Sequence, residues 1–181
     1  MRTDVFLEPW TDADLHIELR GNTPEMTAFL GGPEPEAAVR ARHERFLELP
    51  VSGTGQMFRI GLPDAPAAGS VGYWEREWRG STVYEMGWLV LSEYQGRGVA
   101  SVATRLAAVH AATHGRHRFA HAYPKSAHAA SNAVCHKAGF ELLGEVDFEY
   151  PKGTPIRAHD WRLDLRVLAE MEVSPATSDN G

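Results

Sequence analysis

A carboxylate, a glutamine and several glycines stand close together in the segment Glu85-Met86-Gly87-Trp88-Leu89-Val90-Leu91-Ser92-Glu93-Tyr94-Gln95-Gly96-Arg97-Gly98-Val99-Ala100. Met86 to Leu91 is mostly apolar, as a strand buried on both faces is. Gln95-Gly96-Arg97-Gly98 then reads as a tight turn, because glycine bends freely and lets a ligand approach the backbone with no Cβ in the way. From Val99 the period changes: Val99, Val102, Ala103, Leu106, Val109 and His110 fall on one face of a helix. A helix that starts in a glycine turn offers unpaired N–H groups and the positive end of its dipole, which together suit a phosphate. Glu85 stands at the far end of the strand.

Two familiar phosphate loops do not fit. A Walker loop needs glycine, four residues, then Gly-Lys-Ser/Thr, and no such run exists; the dinucleotide pattern needs a third glycine where Ser101 stands. What remains is Gln-x-x-Gly-x-Ala between an apolar strand and an amphipathic helix.

The elements that must position this turn follow from the patterning. Val5-Phe6-Leu7 is a first strand closed by Pro9, and Thr11 or Asp12 caps a short helix carrying Leu15 and Leu19. Pro35 opens a helix running to about Leu49, with Pro50 to Gly55 as a loop. Met57 to Ile60 is a strand, Pro63 to Gly69 a turn, and Ser70 to Trp78 a strand that returns through Arg79-Gly80-Ser81 into the organising strand. Gly115 stops the long helix. Arg118 to Tyr123 is a strand, Ala129 to Ala138 a helix closed by Gly139, and Phe140–Tyr150 and Ile156–Leu165 two strands around a Pro-Lys-Gly-Thr-Pro turn. The order predicts an α/β fold with a mixed sheet. The organising strand and the strand at Arg118 must be parallel neighbours, because a helix crosses between them. One domain over residues 1–168 and a polar tail over 169–181 are expected, with Ser174 to Gly181 disordered.

The 181 residues suffice for one domain with a real core, and a net charge of −6 with no basic run argues against nucleic-acid binding. A single cysteine, Cys135, excludes an intrachain disulfide and suits a reducing cytoplasm. With neither a signal peptide nor an apolar run of about 18 residues, a soluble, cytoplasmic protein without membrane partners is expected.

Gln95, Gly98 and Ala100 resemble the pyrophosphate-binding signature of the GNAT superfamily of N-acetyltransferases, Gln/Arg-x-x-Gly-x-Gly/Ala. Ser131-Asn132-Ala133-Val134-Cys135-His136-Lys137-Ala138-Gly139-Phe140 is similar to that family's second coenzyme A helix, although His128 stands where the family usually has asparagine. The Glu-x-Gly-Trp opening of the organising strand and the Asp160–Leu165 strand resemble the RimJ/RimL-like branch, which acetylates ribosomal-protein alanine. The resemblance implies a GNAT fold: a mostly antiparallel sheet with one parallel pair splayed apart and helices on both faces. It implies a transferase that moves the acetyl group of acetyl-coenzyme A to a primary amine of a small molecule or protein N-terminus, with no metal.

The resemblance also assigns roles. Leu89, Val90 and Leu91 would hold the pantetheine through their backbone, Gln95, Gly96, Arg97, Gly98, Val99 and Ala100 the pyrophosphate, and Ser131 or Asn132 would approach the pantetheine. Glu85 is the candidate base or amine-orienting carboxylate. Cys135 takes the place of a general-acid tyrosine and reads either as that acid or as core packing. Trp74, Glu75, Glu77 and Tyr150 are expected to face the acceptor, and the resemblance leaves room for a homodimer. The rival reading is a silent acyl-coenzyme A sensor that keeps the loop and lacks a base. His110, His114, His117 and His121 fall at helical spacing, but Gly115 breaks that helix, so an exposed titrating patch is expected rather than a metal site.

Overall fold

The computed structural model describes residues 4–173. Its strands are β1 (Phe6–Pro9), β2 (Gly55–Leu62), β3 (Ala65–Trp78), β4 (Ser81–Val90), β5 (Phe119–Ala122), β6 (Glu141–Glu149) and β7 (Pro155–Asp164). Its helices are α1 (Leu15–Gly21), α2 (Glu36–Ser52), α3 (Val99–His114), α4 (Ala129–Ala138) and α5 (Leu165–Val173). The strands form one sheet in the order β1-β2-β3-β4-β5-β7-β6. Every neighbouring pair is antiparallel except β4–β5, which is parallel because α3 crosses between them.

Strand alternation sorts the core into two faces. Phe58, Ile60, Val71, Tyr73, Tyr84, Met86 and Val90 point to the face covered by α3 and α5. Met57, Trp74 and Leu89 point to the other face, where α1 and α2 bring Ile17, Phe46 and Leu47 against them. Further across that second face, Tyr123, Val146, Phe148 and Ala158 make a separate apolar cluster with Trp78 and Ile156.

Three boundaries differ from the sequence reading. α2 runs on through Pro50 to Ser52 and stops where Gly53 adopts φ 70°, so the left-handed glycine ends the helix rather than the proline. The turn before β3 is only Pro63-Asp64. The small residues that follow are strand, and at Gly69 a Cβ would lie 2.0 Å from the Leu89 carbonyl oxygen. Last, α5 was not foreseen: Asp164 Oδ1 accepts from the Arg166 N–H at 3.1 Å and caps a helix that buries Leu165 and Leu168. The domain boundary expected at 168/169 falls inside this helix, and residues 174–181 of the expected tail lie outside the described residues.

Candidate active site

β4 and β5 stay together for two residues only. Tyr84 pairs with Ala120 and Glu85 with His121, whereas β3 and β4 pair from Trp78↔Ser81 to Gly69↔Val90. Beyond Glu85 the β5 side of β4 therefore has no partner strand, and backbone groups of alternate residues between Met86 and Val90 face a gap. Leu89, Val90 and Leu91 lie along it. Leu91 is tied back to β3 through its N–H to Ala68 O at 2.9 Å.

At the end of the gap the chain turns. The Gln95 side chain donates to the Val90 carbonyl at 2.8 Å and clamps the strand end to the turn. Gly96 and Gly98 have φ of 72° and 77°, and a Cβ at either would meet nothing within 4 Å, so this backbone faces open space. The first bond into α3 runs from the Val102 N–H to Gly98 O at 3.2 Å, which leaves the N–H groups of Val99, Ala100 and Ser101 ahead of the ladder. The loop and helix start thus have the shape and polarity a diphosphate needs. Arg97 lies 3.8 Å from Asp64 at the rim.

Glu85 stands on the last rung before the gap, on the sheet face that carries Trp74, Arg76 and Trp78. Arg76 Nη1 donates to Glu85 Oε2 at 2.8 Å and Trp74 Nε1 to the same oxygen at 3.3 Å. Arg76 also lies 4.4 Å from the Phe148 ring and 5.4 Å from the Tyr123 ring. Trp74 is thus brought to Glu85, and Arg76, which was not foreseen, joins it. Glu75 and Glu77 go the other way. Successive strand residues alternate faces, so Glu75 accepts from His117 at 2.6 Å and from Arg116 Nε at 2.8 Å near the α3 end, and Glu77 accepts from Thr82. Burial pushes the Glu75 carboxyl up, but its bonds to His117 and Arg116 win and hold it below the ordinary value.

Tyr150, at the β6–β7 turn, is on the Glu85 side. Burial raises its phenol; Arg42 opposes this, and Glu34, Glu85 and Glu18 add to it. The loop over residues 22–34 reaches the same region: a Cβ on Gly31 would lie 3.2 Å from Pro151 Cδ, and Phe29 stacks on His128 at 4.2 Å. In the same quarter Glu18 accepts from Ser70 Oγ at 2.7 Å, and Arg42 bridges Glu18 and Glu34.

The second helix supplies less than expected. Asn132 is spent inside the fold: its amide donates to the carbonyls of Lys125 and His128 at 3.0 and 2.8 Å, and its oxygen accepts from His159 Nδ1 and Trp161 Nε1 at 2.7 and 2.8 Å. Ser131, half-buried, makes no side-chain hydrogen bond among the described residues. Cys135 is wholly buried in the α3-side core, and burial pushes its thiol up to about 12. A thiol so placed keeps its proton and packs.

The histidine run disperses. His110 Nδ1 and the Tyr73 hydroxyl share a hydrogen bond of 3.0 Å, His114 stacks on His110, and His117 goes to Glu75. His121, on the opposite face, is buried and donates from Nδ1 to Asp160 Oδ1 at 2.6 Å.

Residues 4–141 match the acetyltransferase (GNAT) domain family, so the chain belongs to the GNAT acetyltransferases and is an acyltransferase enzyme. No curated protein sequence matches it. Among solved structures it is similar to a Salmonella typhimurium acetyltransferase that modifies the N-terminal serine of a 50S ribosomal subunit protein (17% identity, 90% of this chain and 96% of that one, TM-score 0.72). It is also similar to an aminoglycoside acetyltransferase in complex with coenzyme A (18%, 94% and 100%, TM-score 0.74). A third is spermidine N-acetyltransferase from Vibrio cholerae in complex with coenzyme A and spermine (15%, 89% and 95%, TM-score 0.71). At these identities the likeness is one of fold, and the sheet with one parallel pair is the architecture expected from the sequence.

Proposed function

We propose that this enzyme transfers the acetyl group of acetyl-coenzyme A to a primary amine, of a small molecule or a protein N-terminus, by direct attack within a ternary complex. One juxtaposition carries the reading: an open glycine turn at a helix start lies at the end of a strand whose last paired residue before the gap is Glu85. N–H groups from Gly96 to Ala100 hold the diphosphate, and the free backbone edge of β4 guides the pantetheine along the gap. The thioester then reaches the neighbourhood of Glu85.

Glu85 is the carboxylate that meets the acceptor. With Oε2 engaged by Arg76 and Trp74, the other oxygen is left to hold an ammonium group. The carboxylates of Glu18, Glu34 and Glu85 outnumber the guanidinium groups of Arg42 and Arg76 in this quarter, which favours a cationic acceptor. The single cysteine, buried, suits a reducing cytoplasm. No helix among the described residues is long and apolar enough to cross a membrane.

The test is release of free thiol from acetyl-coenzyme A in the presence of spermine, an aminoglycoside, or a peptide with a free N-terminal serine. Acetylation of at least one amine is expected. Failure to take up acetyl-coenzyme A at all would overturn the reading.

A further inference from the structure

The parallel rung that carries Glu85 carries a second proton-handling group. His121 is its register partner, so the two Cα atoms lie about 5 Å apart and both side chains point to the same face. His121 is buried, as is Asp160, and the 2.6 Å bond from Nδ1 to Asp160 Oδ1 fixes which ring nitrogen carries the proton. Asp160 is itself fixed by Trp78 Nε1, which donates to its other oxygen at 3.0 Å. In the neutral ring this leaves the lone pair on Nε2, and His121 and Asp160 line a pocket of about 220 Å3 together with Trp78, Arg79, Ser81, Val83 and Phe119, on the stretch of β4 that leads into Glu85. This is the arrangement of a histidine oriented by a buried carboxylate to act as a base. By contrast, Glu85 has one oxygen committed to a guanidinium, which suits it to orient an ammonium group more than to deprotonate one.

We propose that His121, positioned by Asp160, is the base that takes the acceptor's proton, while Glu85 orients the amine. This rests on the acetyl-transfer reading above. His121 Nε2 takes one proton from the ammonium group, freeing the nitrogen lone pair. That pair forms a C–N bond to the thioester carbonyl carbon and the C=O π pair moves to oxygen. When the π bond re-forms, the C–S bond breaks and its electrons leave on the thiolate. The second proton on nitrogen goes to that sulfur to give the thiol. His121 then returns its proton to water, so the balance is ammonium plus thioester giving amide, thiol and a proton.

Around His121, Asp160 holds the ring from β7, Tyr123 stacks on it from the end of β5, Glu85 is its register neighbour on β4, and Arg79 and Arg162 line the same pocket. Tyr123 stacks 5.8 Å from the imidazole, and its hydroxyl is buried without a hydrogen-bond partner among the described residues.

Two measurements test this. Imidazole nitrogen shifts of the wild-type enzyme should show His121 with Nδ1 protonated and Nε2 bare at neutral pH; an Nε2–H tautomer or an imidazolium would overturn the proposal without any acceptor being needed. His121→Asn keeps a donor toward Asp160 and removes the base. With spermine, an aminoglycoside or an N-terminal seryl peptide, whichever turns over, kcat should fall at least about 10²-fold and the acidic limb of the pH–rate profile should vanish. Acetyl-coenzyme A affinity should be kept. Wild-type kcat with the same acidic limb would overturn it. Absence of acetyl-coenzyme A binding by the wild type counts against the function itself, a separate outcome.

Discussion

Arg76 Nη1 lies 2.8 Å from Glu85 Oε2, and the pair stands on the last rung that β4 shares with β5. Both charges are largely withdrawn from water, so neither is a loose surface ion pair. The expected consequence is that Glu85→Gln lowers kcat/KM for the amine by about 10², the worth of one charge-assisted hydrogen bond, and does so through acceptor binding. Calorimetry should find acetyl-coenzyme A affinity unchanged. Full activity in this variant would remove Glu85 from the site.

Gly98 combines a positive φ with open space, so the backbone, not crowding, demands glycine there. Gly98→Ala should cost about 1–2 kcal/mol in the left-handed conformation. Its Cβ enters the space assigned to the diphosphate, and acetyl-coenzyme A affinity should drop about tenfold, equivalent to about 1.4 kcal/mol. An affinity equal to that of the wild type would place the phosphates elsewhere.

Cys135→Ala should leave the rate of transfer as it is. With its thiol pushed up to about 12 by burial, Cys135 keeps its proton at neutral pH and is too weak an acid to give it to a thiolate, and thiol reagents should fail to label the folded protein. A large loss of kcat with unchanged stability would restore it as the acid.

Acidification should destabilise the fold through His110. Burial first, and His114 second, hold its pKa below the ordinary histidine value. The unfolded chain therefore binds the proton more readily, and the stabilising contribution, present above about pH 6.5, is lost as pH falls from there through the folded value. His128, lowered by burial, acts in the same sense. The Tm should fall between about pH 7 and pH 5.5, and His110→Gln should flatten that slope. An unchanged slope would show that His110 does not titrate in this window.

The order and type of most elements were legible, because the strand, glycine turn and helix around Val99 differ sharply in period. The start of β3 was not, since Ala67, Ala68 and Gly69 read as a turn until the close approach of the Leu89 carbonyl demands small residues. The Asp164 cap of α5 carried a readable signal, but a helix that follows a strand with no intervening glycine or proline hides its own start. On β3 the alternation Trp74-Glu75-Arg76-Glu77-Trp78 was visible, yet only the register against Glu85 says which set faces it. Asn132 and His121 show the same limit from two sides. A polar residue in a plausible motif proved to be committed to Trp161 and His159, and one assigned to an exposed patch proved to be buried on Asp160, partners 27 to 39 residues away in the chain.

In the proposed reaction, backbone amides at the start of α3 hold a diphosphate and so deliver a thioester to Glu85. A crystal structure of the enzyme with coenzyme A tests it most directly. The pyrophosphate should lie against the N–H groups of Gly96 to Ala100, with the pantetheine along the unpaired edge of β4. Coenzyme A bound at any other place would contradict the account.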